Sequence, residues 1–254
     1  MQLSSRGPSA GAVRLWSRRR AISFGLGAGA GLALGSLLAA PGARAQAPVF
    51  DVDVGSIRHS QADVGTSGFG VGEYQHTLDV ALRVKAMLEG AGLSVALTRT
   101  DHAPLSPMSH PDPIERVRIE QTARIAAVGN ARIYVSLHFD GAGSPSVRGT
   151  ETFYNADNHG EDSKRLAEAI QRHMVDEIRA LGYPTVDRGA NDDLRAGKPY
   201  GHFFMLRGGM PSVCGEPLFL TNPTEGTMML QEETRQAVAR GYAGGIVEYF
   251  AAGA

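Results

Sequence analysis

Ile133-Tyr134-Val135-Ser136-Leu137-His138-Phe139-Asp140 is the stretch from which the fold is read. Apolar and β-branched residues run into Ser136, and Leu137 anchors the end of the run beneath His138. The octet therefore predicts a buried strand that lifts a histidine from its carboxyl end. In open α/β sheets, ligands gather outside the carboxyl ends of the strands, so His138 stands where chemistry is done. Three other positions join it: His59 in the loop after an earlier strand, Glu73 after a glycine-rich turn, and Glu216 at the exit of a later strand.

Working outward, Pro48 to Val54 reads as a first strand and residues 55 to 72 as a polar, glycine-rich loop. Glu73 to Ala91 predicts a helix, with Leu78, Ala81, Leu82, the stem of Lys85, Leu88 and Ala91 along one side and Gly92 as its stop. Leu93 to Thr98 reads as a strand, and the four prolines in residues 101 to 113 as a loop before a helix from Ile114 to about Val128. Beyond the octet, Thr150 to Tyr154 alternates as a strand. Ser163 to Leu181 is amphipathic through Leu166, Ile170, Met174, Ile178 and Leu181. Residues 182 to 201 read as irregular, Phe203–Leu206 and Ser212–Gly215 as short strands, and Gln231 to Phe250 as a last helix packing through Val238, Tyr242, Ile246 and Tyr249. Strands alternating with helices predict a single three-layer α/β domain, with a largely parallel, open, twisted sheet and helices on both faces.

The first 45 residues carry a different signal. Arg18-Arg19-Arg20 precede an uncharged stretch from Ile22 to Leu38, and Ala43 and Ala45 form a small-x-small cleavage site. This resembles a twin-arginine export signal rather than a retained membrane anchor, so residues 1–45 are expected to be removed and residues 46–254 to act in the periplasm or outside the cell. The segment holds six of the 25 basic residues and no acidic one, which leaves 19 basic against 26 acidic residues, a net charge of −7, on the mature chain. That sign argues against nucleic-acid binding. With a single cysteine, Cys214, no intramolecular disulfide can form.

A carboxylate such as Glu73 at a helix start also serves the macrodipole, and a histidine at a strand end also serves a loop hydrogen bond. Together, however, two histidines and a carboxylate from neighbouring strand ends supply the three protein ligands of a catalytic zinc, and a further carboxylate can move a proton.

The ordered series of motifs resembles the zinc-dependent N-acetylmuramoyl-L-alanine amidases. It comprises Asp53-Val54-Gly55, Gly70-Val71-Gly72-Glu73, Leu97-Thr98-Arg99, Arg116 within its helix and Ser136-Leu137-His138-Phe139-Asp140. It continues with Gly149-Thr150-Glu151-Thr152-Phe153-Tyr154, Arg188-Gly189, Met205-Leu206-Arg207, Pro211-Ser212-Val213-Cys214-Gly215-Glu216 and Thr221-Asn222-Pro223. The resemblance spans almost all of residues 48 to 250. It implies Zn2+ as cofactor, Glu73 and His138 as two metal ligands and Glu216 as the catalytic carboxylate. The implied reaction is hydrolysis of the amide between N-acetylmuramic acid and L-alanine in peptidoglycan or a muropeptide.

The sequence departs from the family pattern at the first ligand. Ser56 stands where the family places histidine directly after the glycine, and His59 follows three residues later. Counted back from Glu73, His59 falls within about a residue of the family's spacing, and imidazole is a far better zinc ligand than a hydroxyl, so His59 is the expected third ligand. Asp140 replaces the usual asparagine, and Cys214 is expected to be small, buried and inert. Arg207 and His202 are candidate substrate contacts, with a structural ion pair as the alternative for Arg207. The other histidines are expected to be solvated or hydrogen-bonded. Some relatives carry an occluding helix after the Gly-x-Glu-x-Tyr strand, for which residues 155 to 162 leave no room. An inactive wall-binding domain, or a zinc peptidase or deacetylase on another wall amide, are the competing functions; the need for a protein activator stays open.

Overall fold

The computed structural model describes residues 49–52, 65–103, 110–128 and 131–253, all within one compact unit, Arg44–Ala254. Residues 1–45, read as an export signal, and His59 lie outside the described residues. The elements are strand β1 (Val49–Val52), a small hairpin of β2 (Ser67–Gly68) and β3 (Val71–Gly72), helix α1 (Glu73–Gly90), β4 (Ala96–Leu97), α2 (Pro113–Val128), β5 (Tyr134–Leu137) and β6 (Thr150–Tyr154). The chain continues through α3 (Gly160–Ala180), β7 (Asp187–Asp192), β8 (Ser212–Glu216), α4 (Pro223–Met229) and α5 (Glu232–Ala251). None of the described helices is long and apolar enough to cross a membrane.

Six strands form one sheet in the order β4-β1-β5-β8-β6-β7. Every pairing is parallel except β8 with β6, which is antiparallel and sets Glu151 opposite Glu216. β5 is buried along its whole length, because both of its faces are covered. Val135 and Leu137 join Val213 in a core with Val84 of α1, Ile170 of α3 and Ile246 of α5. The alternate residues Tyr134 and Cys214 pack on the opposite face with Phe153, Phe203, Met205 and Leu206, and Ile125 of α2 lies against them. The period-2 alternation of a strand thus assigns odd positions of β5 to three helices and even positions to one. α3 and α5 approach closely because Gly241 and Gly245 face α3. A Cβ on Gly245 would lie 2.5 Å from the Ile170 Cα, and one on Gly241 2.8 Å from the Met174 Cα.

The structure corrects three expectations. Residues 182–201 are not irregular throughout: Asp187–Asp192 adds a polar edge strand, β7, beside β6. It has no apolar alternation because its side chains are not core. Phe204–Leu206 is a 3-10 turn rather than a strand; its apolar residues fill the α2 face of the sheet instead of pairing with it. Leu82 is exposed, and Val80 and Val84 complete the buried face of α1. His76 is not solvated: it is only 5% exposed, with its ring at 6.0 Å and 70° to Phe139. Between β6 and α3 only residues 155–159 intervene, with no helix among them.

Candidate metal centre and its cavity

Glu73 owes its placement to the hairpin before it. Phe69 and Gly70 both adopt positive φ, 54° and 82°, the backbone of a tight two-residue hairpin turn, and glycine takes such a φ at no steric cost. The hairpin delivers Gly72 as the cap of α1, where Gln75 Oε1 accepts from the Gly72 N–H at 3.1 Å. The chain is fixed again by the Glu73 N–H donating to the Thr66 carbonyl at 2.8 Å. The Glu73 carboxylate is oriented by two backbone donors: Thr66 N–H to Oε2 at 2.9 Å and Phe139 N–H to Oε1 at 3.1 Å.

His138 follows β5 directly, and its N–H donates to the Gly215 carbonyl at 3.0 Å, which extends the β5–β8 ladder by one rung. Its Nδ1 lies 3.0 Å from Glu73 Oε1 and 4.0 Å from Glu216 Oε1. Two ligands of a tetrahedral zinc at ~2.0–2.1 Å stand about 3.3 Å apart, so the Glu73–His138 separation suits joint coordination. Oxygen and imidazole nitrogen are also donors that zinc accepts readily. His138, Cys214 and Glu216 form a second overlapping group, their ligand atoms all within 4.8 Å of one another. Cys214 is fully buried, with Sγ 3.9 Å from Glu216 Oε1. It sits on the even face of β8 with Glu216, two residues on.

These side chains open into a cavity of about 420 Å³, whose walls include Val117, Glu120 and Arg124 of α2, Phe139 and Asp140 beyond β5, and Lys198, Tyr200 and Phe203. Glu120 and Arg124 form a buried ion pair at 3.1 Å. Burial pushes the Asp140 carboxyl up to about 7 despite a hydrogen bond from the Gly141 N–H; the Glu151 carboxylate adds to the rise and Arg188 opposes it. Arg188 in turn donates to Glu151 at 2.6 Å.

His202 and Arg207 do not line the cavity; both hydrogen-bond to neighbouring groups of the protein. Arg207 Nη2 donates to the carbonyls of Tyr200 at 2.8 Å and His202 at 2.6 Å, and its guanidinium lies 4.4 Å above the Phe204 ring, which stacks with Tyr200. His202 bridges the fully buried Asp193 at 2.5 Å and Asp157 at 3.2 Å. Burial alone would lower its pKa, but the hydrogen bonds and charge of these aspartates hold it above the usual histidine value. The structure therefore brings Glu73, His138 and Glu216 together, sets His202 and Arg207 behind the cavity wall, and leaves His59 outside the described residues. The wall residues Glu120, Arg124, Lys198 and Tyr200 were not singled out from the sequence: the first two lie on a helix, and the other two follow β7, a strand without apolar alternation.

Comparison with known proteins agrees with this geometry. Residues 52–248 match the N-acetylmuramoyl-L-alanine amidase family, Amidase_3. The chain is 29% identical to the uncharacterized protein YqiI of Bacillus subtilis over 85% of this chain and 93% of that one. It is 28% identical to the N-acetylmuramoyl-L-alanine amidase LytC of the same organism, over 76% of this chain but only 34% of LytC. Among solved structures, the CwlD amidase of Clostridioides difficile, determined in complex with the GerS lipoprotein, superposes with a TM-score of 0.66 at 23% identity, over 82% of this chain and 99% of that one. A family match over most of the chain, together with this fold, makes the protein a member of the N-acetylmuramoyl-L-alanine amidase family.

Proposed function

We propose that this chain is a zinc-dependent hydrolase of the amide between the lactyl group of N-acetylmuramic acid and the L-alanine of the stem peptide. The observation that carries the reading is the convergence of Glu73, His138 and Glu216 on one cavity, with His138 Nδ1 at 3.0 and 4.0 Å from the two carboxylates. Glu73 and His138 would hold the zinc, with His59 as third ligand. When bound, the ion supplies Lewis acidity toward the scissile carbonyl and toward water.

The chain's own residues do the rest. The Thr66 and Phe139 N–H groups fix the Glu73 carboxylate before any ligand arrives, so little reorganisation accompanies binding. Glu216, at the mouth of β8, takes the proton of the attacking water on its carboxylate and returns it to the nitrogen of the departing L-alanine. The apolar wall of Val117, Phe139 and Phe203 excludes bulk water and strengthens the electrostatic contacts within. Arg207 and His202 serve as positioning residues of the cavity wall rather than as substrate contacts. The resemblance of residues 1–45 to an export signal supports a reaction in the periplasm or outside the cell, with peptidoglycan or its fragments as substrate.

The test is product analysis by mass spectrometry on purified peptidoglycan and on a soluble muropeptide, with zinc, with chelator, and with Glu216→Gln. Intact stem peptides bearing a free L-alanine amino terminus are expected only with zinc and Glu216. Products cut within the peptide, or deacetylated sugars, would refute the assignment. Stoichiometric zinc in the wild type, lost in His59→Ala, is the expected result for the third ligand.

A further inference from the structure

Two cations stand among the carboxyl groups of the cavity, and only one of them is buried in a pair. Among the described residues the cavity is lined by four carboxyl groups, Glu73, Glu120, Asp140 and Glu216, and by two cations, Arg124 and Lys198. Arg124 is committed to Glu120 in a buried pair. Lys198 is exposed and pairs with no carboxylate among the described residues; its ammonium lies 5.9 Å from the centroid of the Phe203 ring.

The turn that carries Lys198 is nevertheless firmly built. The Gly201 N–H donates to the Lys198 carbonyl at 3.0 Å, closing a four-residue turn with Pro199 at its second position, where the ring fixes φ. Arg207 ties down two carbonyls beyond that of Lys198, those of Tyr200 and His202. Phe204 is stacked between Tyr200 and the Arg207 guanidinium. The His202 ring is held from both sides by Asp193 and Asp157. A long, exposed cation with no carboxylate partner among the described residues is thus presented from a rigid mount at the rim of the cavity. Presentation of this kind lowers the ordering cost of binding an anion.

We infer that Lys198 is a specificity-determining residue that binds a free carboxylate on the peptide side of the substrate. The inference rests on the reading of the chain as a muramoyl-peptide amidase. In such a substrate the lactyl carboxyl is consumed in the scissile amide, and the sugars carry hydroxyl and acetamido groups, so negative charge resides on the stem peptide alone. A cation at the rim therefore selects the peptide, and it selects peptides whose carboxylates are free over those whose carboxylates are amidated. The same charge draws an anionic peptide toward the rim of the cavity.

The experiment compares a muramoyl tripeptide with free carboxylates and the same compound fully amidated. Binding is measured by calorimetry on the zinc-loaded Glu216→Gln protein, with and without Lys198→Gln or Lys198→Glu, and cleavage is followed with Glu216 intact. The free form is expected to bind about fivefold more tightly, the scale of a single solvent-exposed ion pair. Lys198→Gln should erase that preference without altering the affinity for the amidated form, Lys198→Glu should invert it, and 0.5 M salt should suppress it. Because Lys198 is exposed, the melting temperature should not move. Equal loss of affinity for both compounds in Lys198→Gln, or a preference that survives the substitution, overturns the inference. Cleavage of the lactyl amide without any preference would leave the proposed reaction standing and remove the role of Lys198. A Lys198-dependent preference without such cleavage would do the reverse. Failure of both binding and cleavage removes both.

Discussion

His76 offers a sharp test of how α1 is packed beneath the site. Its ring is 5% exposed and meets Phe139 edge-on. Burial first, and the Arg235 cation second, hold its pKa down at about 4 from an ordinary 6.5, with Asp79 opposing. The depressed value means that the folded state keeps the ring neutral while the unfolded chain protonates freely. The contribution to stability is therefore complete above pH 6.5 and is lost as the pH falls from there through 4. With these two values, folding loses about 2 kcal/mol between pH 7.5 and pH 5. For a domain of this size that corresponds to a fall of about 4–8 °C in Tm. His76→Phe keeps a ring against Phe139 and removes the titration. Thermal melts of both proteins across this range, at constant ionic strength, should show the wild type falling more steeply by that amount, since the carboxylates common to both cancel in the difference. Parallel curves would mean that the folded state protonates His76 as readily as the unfolded chain does, and the burial argument would fail.

Two further outcomes follow from single contacts. Tyr242→Phe removes the buried hydroxyl that donates to the Gly215 carbonyl at 2.9 Å; urea unfolding should show a loss of about 1 kcal/mol, and an unchanged midpoint would show that the bond contributes nothing. Arg207→Ala frees two carbonyls and the Phe204 face. It is expected to raise KM by about threefold with kcat held within about twofold and to open residues 198–203 to limited proteolysis; a fall in kcat alone would instead place Arg207 in the chemistry.

The parts legible in the sequence were those governed by local periodicity. The β5 octet, the α3 stripe of Leu166, Ile170, Met174 and Ile178, and the α5 stripe of Val238, Tyr242, Ile246 and Tyr249 are buried as their spacing requires. Glu73, His138 and Glu216 could be singled out because each sits where a strand ends or a helix begins, positions that topology makes functional. β7 was not legible. Its sequence, DRGAND, holds no apolar alternation, and its strand character comes from pairing with β6. The antiparallel turn of β6 was equally hidden, since strand direction is set by a long-range pairing that leaves no mark on five residues. Nor could the Arg207 side chain be read: its partners are backbone carbonyls, which any residue type could have provided.

Glu225 gives the catalytic edge a dependence that a list of cavity residues omits. It is fully buried on α4 and lies outside the cavity lining. Its carboxylate accepts from the N–H groups of Gly149 and Phe219 and from the Tyr183 hydroxyl, at 2.8 to 3.3 Å. Those three donors belong to the approach to β6, the exit from β8 and the approach to β7. One acid thus staples together the chain segments on either side of Glu216 and Glu151. In a screen scored only by loss of activity, Glu225 would rank beside Glu216, the proposed catalytic carboxylate, and its replacement would be mistaken for a chemical defect. The two can be told apart by what survives: a Glu216 variant should keep its fold and its metal, whereas a Glu225 variant loses the alignment of the strands that bring the ligands together.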